Sequence, residues 1–155
     1  MTLFLVRHGA ALSRYQDSQR ALSSRGRADV QRVAARLADK KDVRVDRIYH
    51  SNKLRARQTA EILAERLHPS GGVSESDGLA PNDNPAVWTD RLIGEQTSLM
   101  LVGHLPHLAR LAALLLVGNT EEQVASFPAS GVACLMRDEQ DHWRLLWTLG
   151  PDDPA

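Results

Sequence analysis

Apolar residues recur along this chain in two rhythms. Unbroken runs at residues 2–6 and 98–102 are short, which predicts strands buried on both faces. Residues 45–50 read as another strand, and 73–76 as a brief one. Between them the spacing lengthens. Leu22-Ser23-Ser24-Arg25-Gly26 offers capping serines, followed by Val30, Val33, Ala34 and Leu37 at i, i+3, i+4 and i+7. Lys40-Lys41 suits the end of that helix. A helix over 53–67 sets Ala56, Ala60, Leu63 and Leu67 on one stripe, and 86–94 is a short helix. Pro106 sits just inside the next helix, whose buried face is Leu108, Leu111, Ala112 and Leu115. Residues 10–21 are polar without a period and read as a loop over the first strand; 79–85 is a second loop.

After 130 the pattern changes. Residues 132–137 and 143–149 form a hairpin around the polar turn 138–141, and Trp143, Leu145, Trp147 and Leu149 alternate with period two. Four β-α repeats followed by a hairpin predict an α/β fold. It is a three-layer α/β/α sandwich whose mostly parallel sheet has an antiparallel edge. Residues 1–150 make one domain, with 151–155 a frayed C-terminal tail.

Lys plus Arg and Asp plus Glu both number 19, so the net charge is zero. That argues against a nucleic-acid or membrane-surface binder, while leaving room for a local cationic pocket. Cys134 is the single cysteine, in an apolar run, and reads as a small buried hydrophobe that forms no internal disulfide. No apolar run reaches membrane-spanning length and the N-terminus lacks signal-peptide features, so a cytoplasmic protein is expected. A monomer is favoured, with the Trp143/Trp147 face assigned to the core.

The chemistry gathers where strands end. The first strand runs straight into Arg7-His8-Gly9, and 98–102 runs into Gly103-His104. Arg55 and Arg57 lie at the start of the helix after the second strand. A parallel sheet brings these ends to one rim, where open α/β sheets bind ligands. Guanidinium groups give planar, bidentate donation to phosphate oxygens, and the helix after Pro106 adds backbone N–H groups. Arg55 is the better candidate because it lies close to the rim; Arg57 and Lys53 read as solvated surface. A neutral His8 can attack phosphorus if its other ring nitrogen donates to a nearby carbonyl, and adjacent arginines lower its pKa. No carboxylate or His/Cys set has metal-ligand spacing, so neither metal nor cofactor is expected.

Five segments together resemble the histidine phosphatase superfamily, of phosphoglycerate-mutase-like fold, and within it the small SixA-type phosphohistidine phosphatases. They are Arg7-His8-Gly9, Leu22-Ser23-Ser24-Arg25-Gly26, Ser51…Arg55-Ala56…Gln58-Thr59-Ala60, Leu79-Ala80-Pro81 and Gly103-His104…Pro106. The resemblance implies that His8 is the nucleophile that becomes phosphorylated. Arg7, Gly9, Arg55 and His104 would bind the substrate phosphoryl group. The chain departs from the family at Leu105, where Asn is frequent, at Ala10, where an acid or amide is common, and at Ala21, where Pro is frequent.

Members acting on phosphate esters use a carboxylic acid to protonate the leaving oxygen. Here Asp83 is the only acid close behind Leu79-Ala80-Pro81, and beside Asn82 and Asn84 it reads as a turn residue. The chain also has no room for a large inserted cap. The expected substrate is therefore phosphohistidine on a partner protein, a signalling or phosphotransfer domain. A phosphatase of small phosphate esters is the alternative, and a non-catalytic phosphate-binding domain a weaker one.

Overall fold

Leu3, Phe4, Leu5 and Val6 are almost wholly buried, and the architecture grows outward from them. They lie in β1 (Thr2–Arg7), which pairs with β4 (Leu99–Gly103) in parallel and with β5 (Val132–Arg137) antiparallel. A computed structural model describes residues 1–154. Among these, a six-stranded sheet runs β3-β2-β4-β1-β5-β6, with β2 at Arg47–His50, β3 at Val73–Glu75 and β6 at Trp143–Leu149. β3, β2, β4 and β1 are parallel, and β5 and β6 complete the expected antiparallel edge.

Alternate residues of β1 feed opposite cores, as strand pleating requires. Phe4 and Val6 pack with Val30, Val33 and Leu37 of α1 (Ser24–Asp39) and Ala60 and Leu63 of α2 (Leu54–Leu67). Leu3 and Leu5 pack with Trp88 and Leu92 of α3 (Ala86–Leu92) and Leu108 and Leu111 of α4 (His107–Val117). This is the three-layer sandwich predicted. Ser23 caps α1, its Oγ accepting from Gly26 N at 3.0 Å. Cys134 is buried, and burial pushes its thiol up to about 11, so it is an inert core group.

Two expectations need correction. The alternation of β6 implied a single buried face. Instead Trp143 and Leu145 join the α3/α4 core, whereas Trp147 and Leu149 join the α1/α2 core. A β-bulge opposite Cys134/Leu135 shifts the register and turns the strand between them. Nor is the C-terminus frayed where it follows β6. Pro151 is buried, Gly150 N donates to Asp153 Oδ2 at 2.8 Å, and Arg32 Nε on α1 donates to Pro151 O at 3.1 Å. Ala155 lies outside the described residues.

Candidate active site

Strand register builds the site. Arg7 pairs with Gly103, so the two motifs end at one level, and His8 N donates to Gly103 O at 3.0 Å. The His8 and His104 rings consequently face each other at 4.9 Å between centroids. β2 delivers the third wall: His50 pairs with Val102, Ser51 N donates to Val102 O, and α2 starts at Leu54, one residue before Arg55.

His8 Nδ1 lies 2.7 Å from Gly9 O. Only an N–H can satisfy that carbonyl, so Nδ1 carries the proton and Nε2 keeps its lone pair. The His8 pKa is lowered from 6.5 to about 4, chiefly by burial, with Arg55, Arg7 and Arg20 adding to the shift and the Gly9 bond opposing it. The arginines expected to cause the shift do contribute, but desolvation is the larger cause.

His104 is buried, and its pKa falls to about 3, from burial first and then from His8, Arg55, Lys53 and His107. Ser51 Oγ lies 2.7 Å from His104 Nε2 and accepts from Lys53 N at 3.3 Å. If that hydroxyl donates to Nε2, the neutral ring carries its proton on Nδ1, which has no protein partner among the described residues.

The two arginines are held differently. Arg7 donates through one terminal nitrogen to Phe127 O at 2.9 Å, which pins the guanidinium, and its Nε is buried with no protein acceptor. Arg55 Nε is likewise buried and without an acceptor. Buried donors in native proteins are almost always satisfied, and an anion beside His8 is one partner that these two guanidinium nitrogens can take. Among the described residues no carboxylate lies within 4.0 Å of either arginine. Nor does any cluster of three or more His, Cys, Asp or Glu among them suit a metal ion.

Gly9, expected to bind substrate, has both backbone groups committed inside the protein. Its carbonyl accepts from His8, and its N–H donates to Thr59 Oγ1 at 3.0 Å. Thr59 in turn donates to Arg55 O at 2.8 Å, so α2 locks the residue after His8 and Arg55 through one hydroxyl. A Cβ at Gly9 would come within 2.7 Å of Val30, which is why glycine stands there. Ala10 is also structural, its carbonyl accepting from Ser23 N and Ser23 Oγ at the start of α1. Asp83 Oδ2 accepts from Ala80 N at 3.0 Å, the turn role that its neighbours in the sequence imply.

Ser51, Thr59 and Gln58, which accepts from Leu22 N at 2.8 Å, belong to a motif segment, yet the sequence gives them no individual role. Arg20, in the loop expected to cover β1, carries no sequence signal. Neither does His107, wholly buried with both ring nitrogens unpartnered. Of these residues only the Ser51–Thr59 segment could have been found from its motif.

Comparison with known proteins identifies the family. Residues 3–81 match the model of the histidine phosphatase superfamily, branch 1. The chain is 30% identical over 156 residues to the phosphohistidine phosphatase SixA of Escherichia coli K12, covering 97% of this chain and 94% of the relative. It superposes on a protein histidine phosphatase SixA complexed with tungstate at a TM-score of 0.83, with 28% identity and 97% of each chain covered. A mycobacterial glucosyl-3-phosphoglycerate phosphatase in complex with VO3 shares the fold at a TM-score of 0.74 and 18% identity, covering 94% of this chain and 98% of that one. A rim of two histidines and two arginines on a phosphoglycerate-mutase-like sheet, with a SixA likeness running the length of the chain, leads to one conclusion: the chain belongs to the histidine phosphatase superfamily and is a phosphatase.

Proposed function

We propose that this phosphatase hydrolyses phosphohistidine on a partner protein, in the cytoplasm, through a phosphorylated His8. The observation that carries the reading is the orientation of His8: Nδ1–H fixed on Gly9 O, the ring neutral, and Nε2 free beside two half-buried arginines whose Nε atoms are buried without an acceptor. His8 Nε2 attacks phosphorus; the Nε2–P bond forms as the substrate's N–P bond breaks. The departing imidazole keeps the proton already on its other nitrogen and leaves neutral. His8 becomes a phosphoimidazolium whose Nδ1–H stays on Gly9 O. Water then attacks, the Nε2–P bond breaks, and both water protons leave on dihydrogen phosphate. Every proton is accounted for without an added acid, which suits a site whose nearest loop carboxylate, Asp83, caps a turn. Arg7, Arg55 and His104 Nδ1–H bind the phosphoryl oxygens and stabilise the charge spread over them in the transition state. The tungstate bound by the SixA neighbour is a tetrahedral oxyanion of the kind this cradle fits.

The small-ester alternative rests on Asp83, which lines the groove beside Arg55. Initial rates on a phosphohistidine peptide, an aryl phosphate and an alkyl phosphate separate the two. The expected order is phosphohistidine, then aryl, then alkyl, with Asp83→Asn barely altering the first. Fastest turnover of alkyl esters, cut about 100-fold or more by Asp83→Asn as for a lost general acid, makes Asp83 catalytic and the protein an ester phosphatase.

A further inference from the structure

Beside the His8 rim, and sharing Arg55 with it, lies an open groove of about 860 Å³. Arg14, Arg20, Lys53 and Arg55 line it, and Asp83 is its one acid, with one carboxylate oxygen already used on Ala80 N. None of the four cations has a carboxylate within 4.0 Å among the described residues. In a chain of zero net charge, this concentrates unbalanced positive charge along one wall.

The wall is built. Leu12 N donates to Ala21 O, and Arg20 Nε donates to Leu12 O at 3.0 Å. The Asp17 carboxylate accepts from Gln19 N and Ala21 N, and Leu22 N is tied to Gln58 on α2. Arg20 takes a left-handed conformation, φ 53°, uncommon for a residue with a side chain. The same loop carries Tyr15, fully exposed next to Arg14. An isolated, solvated tyrosine beside arginines has the composition of a protein-docking anchor, and a small metabolite inside the groove leaves it idle.

We propose that this groove, with the Tyr15 loop, docks an acidic polypeptide segment flanking the phosphohistidine of the substrate. The inference rests on the phosphohistidine reading and adds to it: the phosphoryl group identifies the reaction, and carboxylates beside it identify the partner. Arg14, Arg20 and Lys53 meet those carboxylates, while Tyr15 lies on the partner's surface outside the groove.

The test uses the intact protein and four probes: free phosphohistidine and three phosphohistidine decapeptides flanked by Asp/Glu, by Ser/Asn or by Lys. At low ionic strength the acidic peptide is expected to exceed the neutral one in kcat/KM by about tenfold, mostly through KM, as a few rim ion pairs supply. The Lys peptide falls below the neutral one. The preference collapses at about 1 M salt, where screening shortens to a contact distance. Arg14→Gln, on an exposed loop side chain, removes most of the acidic preference, read as the ratio of kcat/KM for the acidic and neutral peptides within the variant, so that any change it makes in the field at Arg55 divides out. Tyr15→Ala lowers kcat/KM for the acidic peptide only. Equal turnover of the three peptides overturns the docking inference and leaves the phosphohistidine reading standing. So does a small bisphosphate that binds in an Arg14-dependent way while the peptides show no preference. Failure on all four probes, with phosphate esters cleaved, overturns the phosphohistidine reading and the inference with it.

Discussion

Arg55 and Arg57 stand two residues apart on α2 and lead opposite lives. Arg57 is exposed and donates through Nε to Glu61 Oε1 at 2.8 Å, an i,i+4 pair on the helix surface. Arg55 is half-buried, its Nε has no acceptor, and burial, with the positive neighbours Arg20 and Arg14, pushes its pKa down. Two positions are about 200° around a helix, so one arginine faces water as the other faces the rim. Balanced charge makes a stable surface. Charge left unbalanced in a partly dry place is stored attraction for an anion, and burial strengthens it. The zero net charge of the chain conceals this segregation.

Removing what the rim surrounds gives the largest effect. His8→Ala should abolish turnover and the acid-labile, base-stable phosphoenzyme trapped from wild type. Full activity in that variant breaks the proposed mechanism. Next come the orphaned guanidinium groups. Arg55→Ala and Arg7→Ala should each lower kcat about 100- to 1000-fold, as when a transition-state donor is lost. An oxyanion complex with Arg55 turned to solvent contradicts its place in the cradle.

Acid probes the same contrast without mutation. His8 should titrate near 4, followed by imidazole nitrogen NMR, well below the ordinary 6.5. The folded state refuses a proton that the unfolded chain accepts. Stability from this source is therefore full above 6.5 and is lost as pH falls through that value toward about 4. A midpoint above 6 means that burial and the arginines do not outweigh the Gly9 bond, which overturns the claim that the folded ring is held neutral by its surroundings.

Ser51→Ala should act more gently. It leaves His104 Nε2 buried without its partner, costing about 1–3 kcal/mol of stability. It also frees the ring to choose the other tautomer, which should slow turnover about tenfold. Chemical denaturation and kcat measured on one preparation test both effects.

How far the sequence reveals all this depends on distance along the chain. His8, His104, Arg7 and Arg55 are legible because each lies at or shortly after the end of a strand, and strand ends are where ligands bind in such sheets. The parallel order and the antiparallel edge are legible from the spacing of elements. Ser51 on His104 and Thr59 on Gly9 are not, because these bonds join residues 53 and 50 positions apart. They exist only once register has set His50 against Val102 and Arg7 against Gly103. The hydrogen bonds of Gly9 are hidden for the same reason: nothing local says that a threonine on α2 takes its N–H. The bulge that splits β6 between two cores leaves a clean alternation undisturbed, since an extra residue in the ladder is a property of pairing and not of pattern. The loop of 10–21 is legible as a cover, but its hydrogen bonds, and the arginines they hold over the groove, depend on Asp17 reaching forward to Gln19 and Ala21.

The smallest effect sharpens the comparison most. Arg57→Ala removes the same side chain as Arg55→Ala, from the same helix. It should leave kcat unchanged and shift stability by no more than about 0.5 kcal/mol, the worth of an exposed i,i+4 ion pair. Helix propensity cannot blur the result, because alanine is the better helix former at both positions. If Arg57→Ala instead slows turnover as much as Arg55→Ala, the two guanidinium groups act as one field on the rim. The loss should then be recovered by lowering the salt concentration, which lengthens the reach of the charges that remain. If only Arg55→Ala slows turnover, and salt does not restore it, the contribution of Arg55 is directional: a donor aimed at one oxygen.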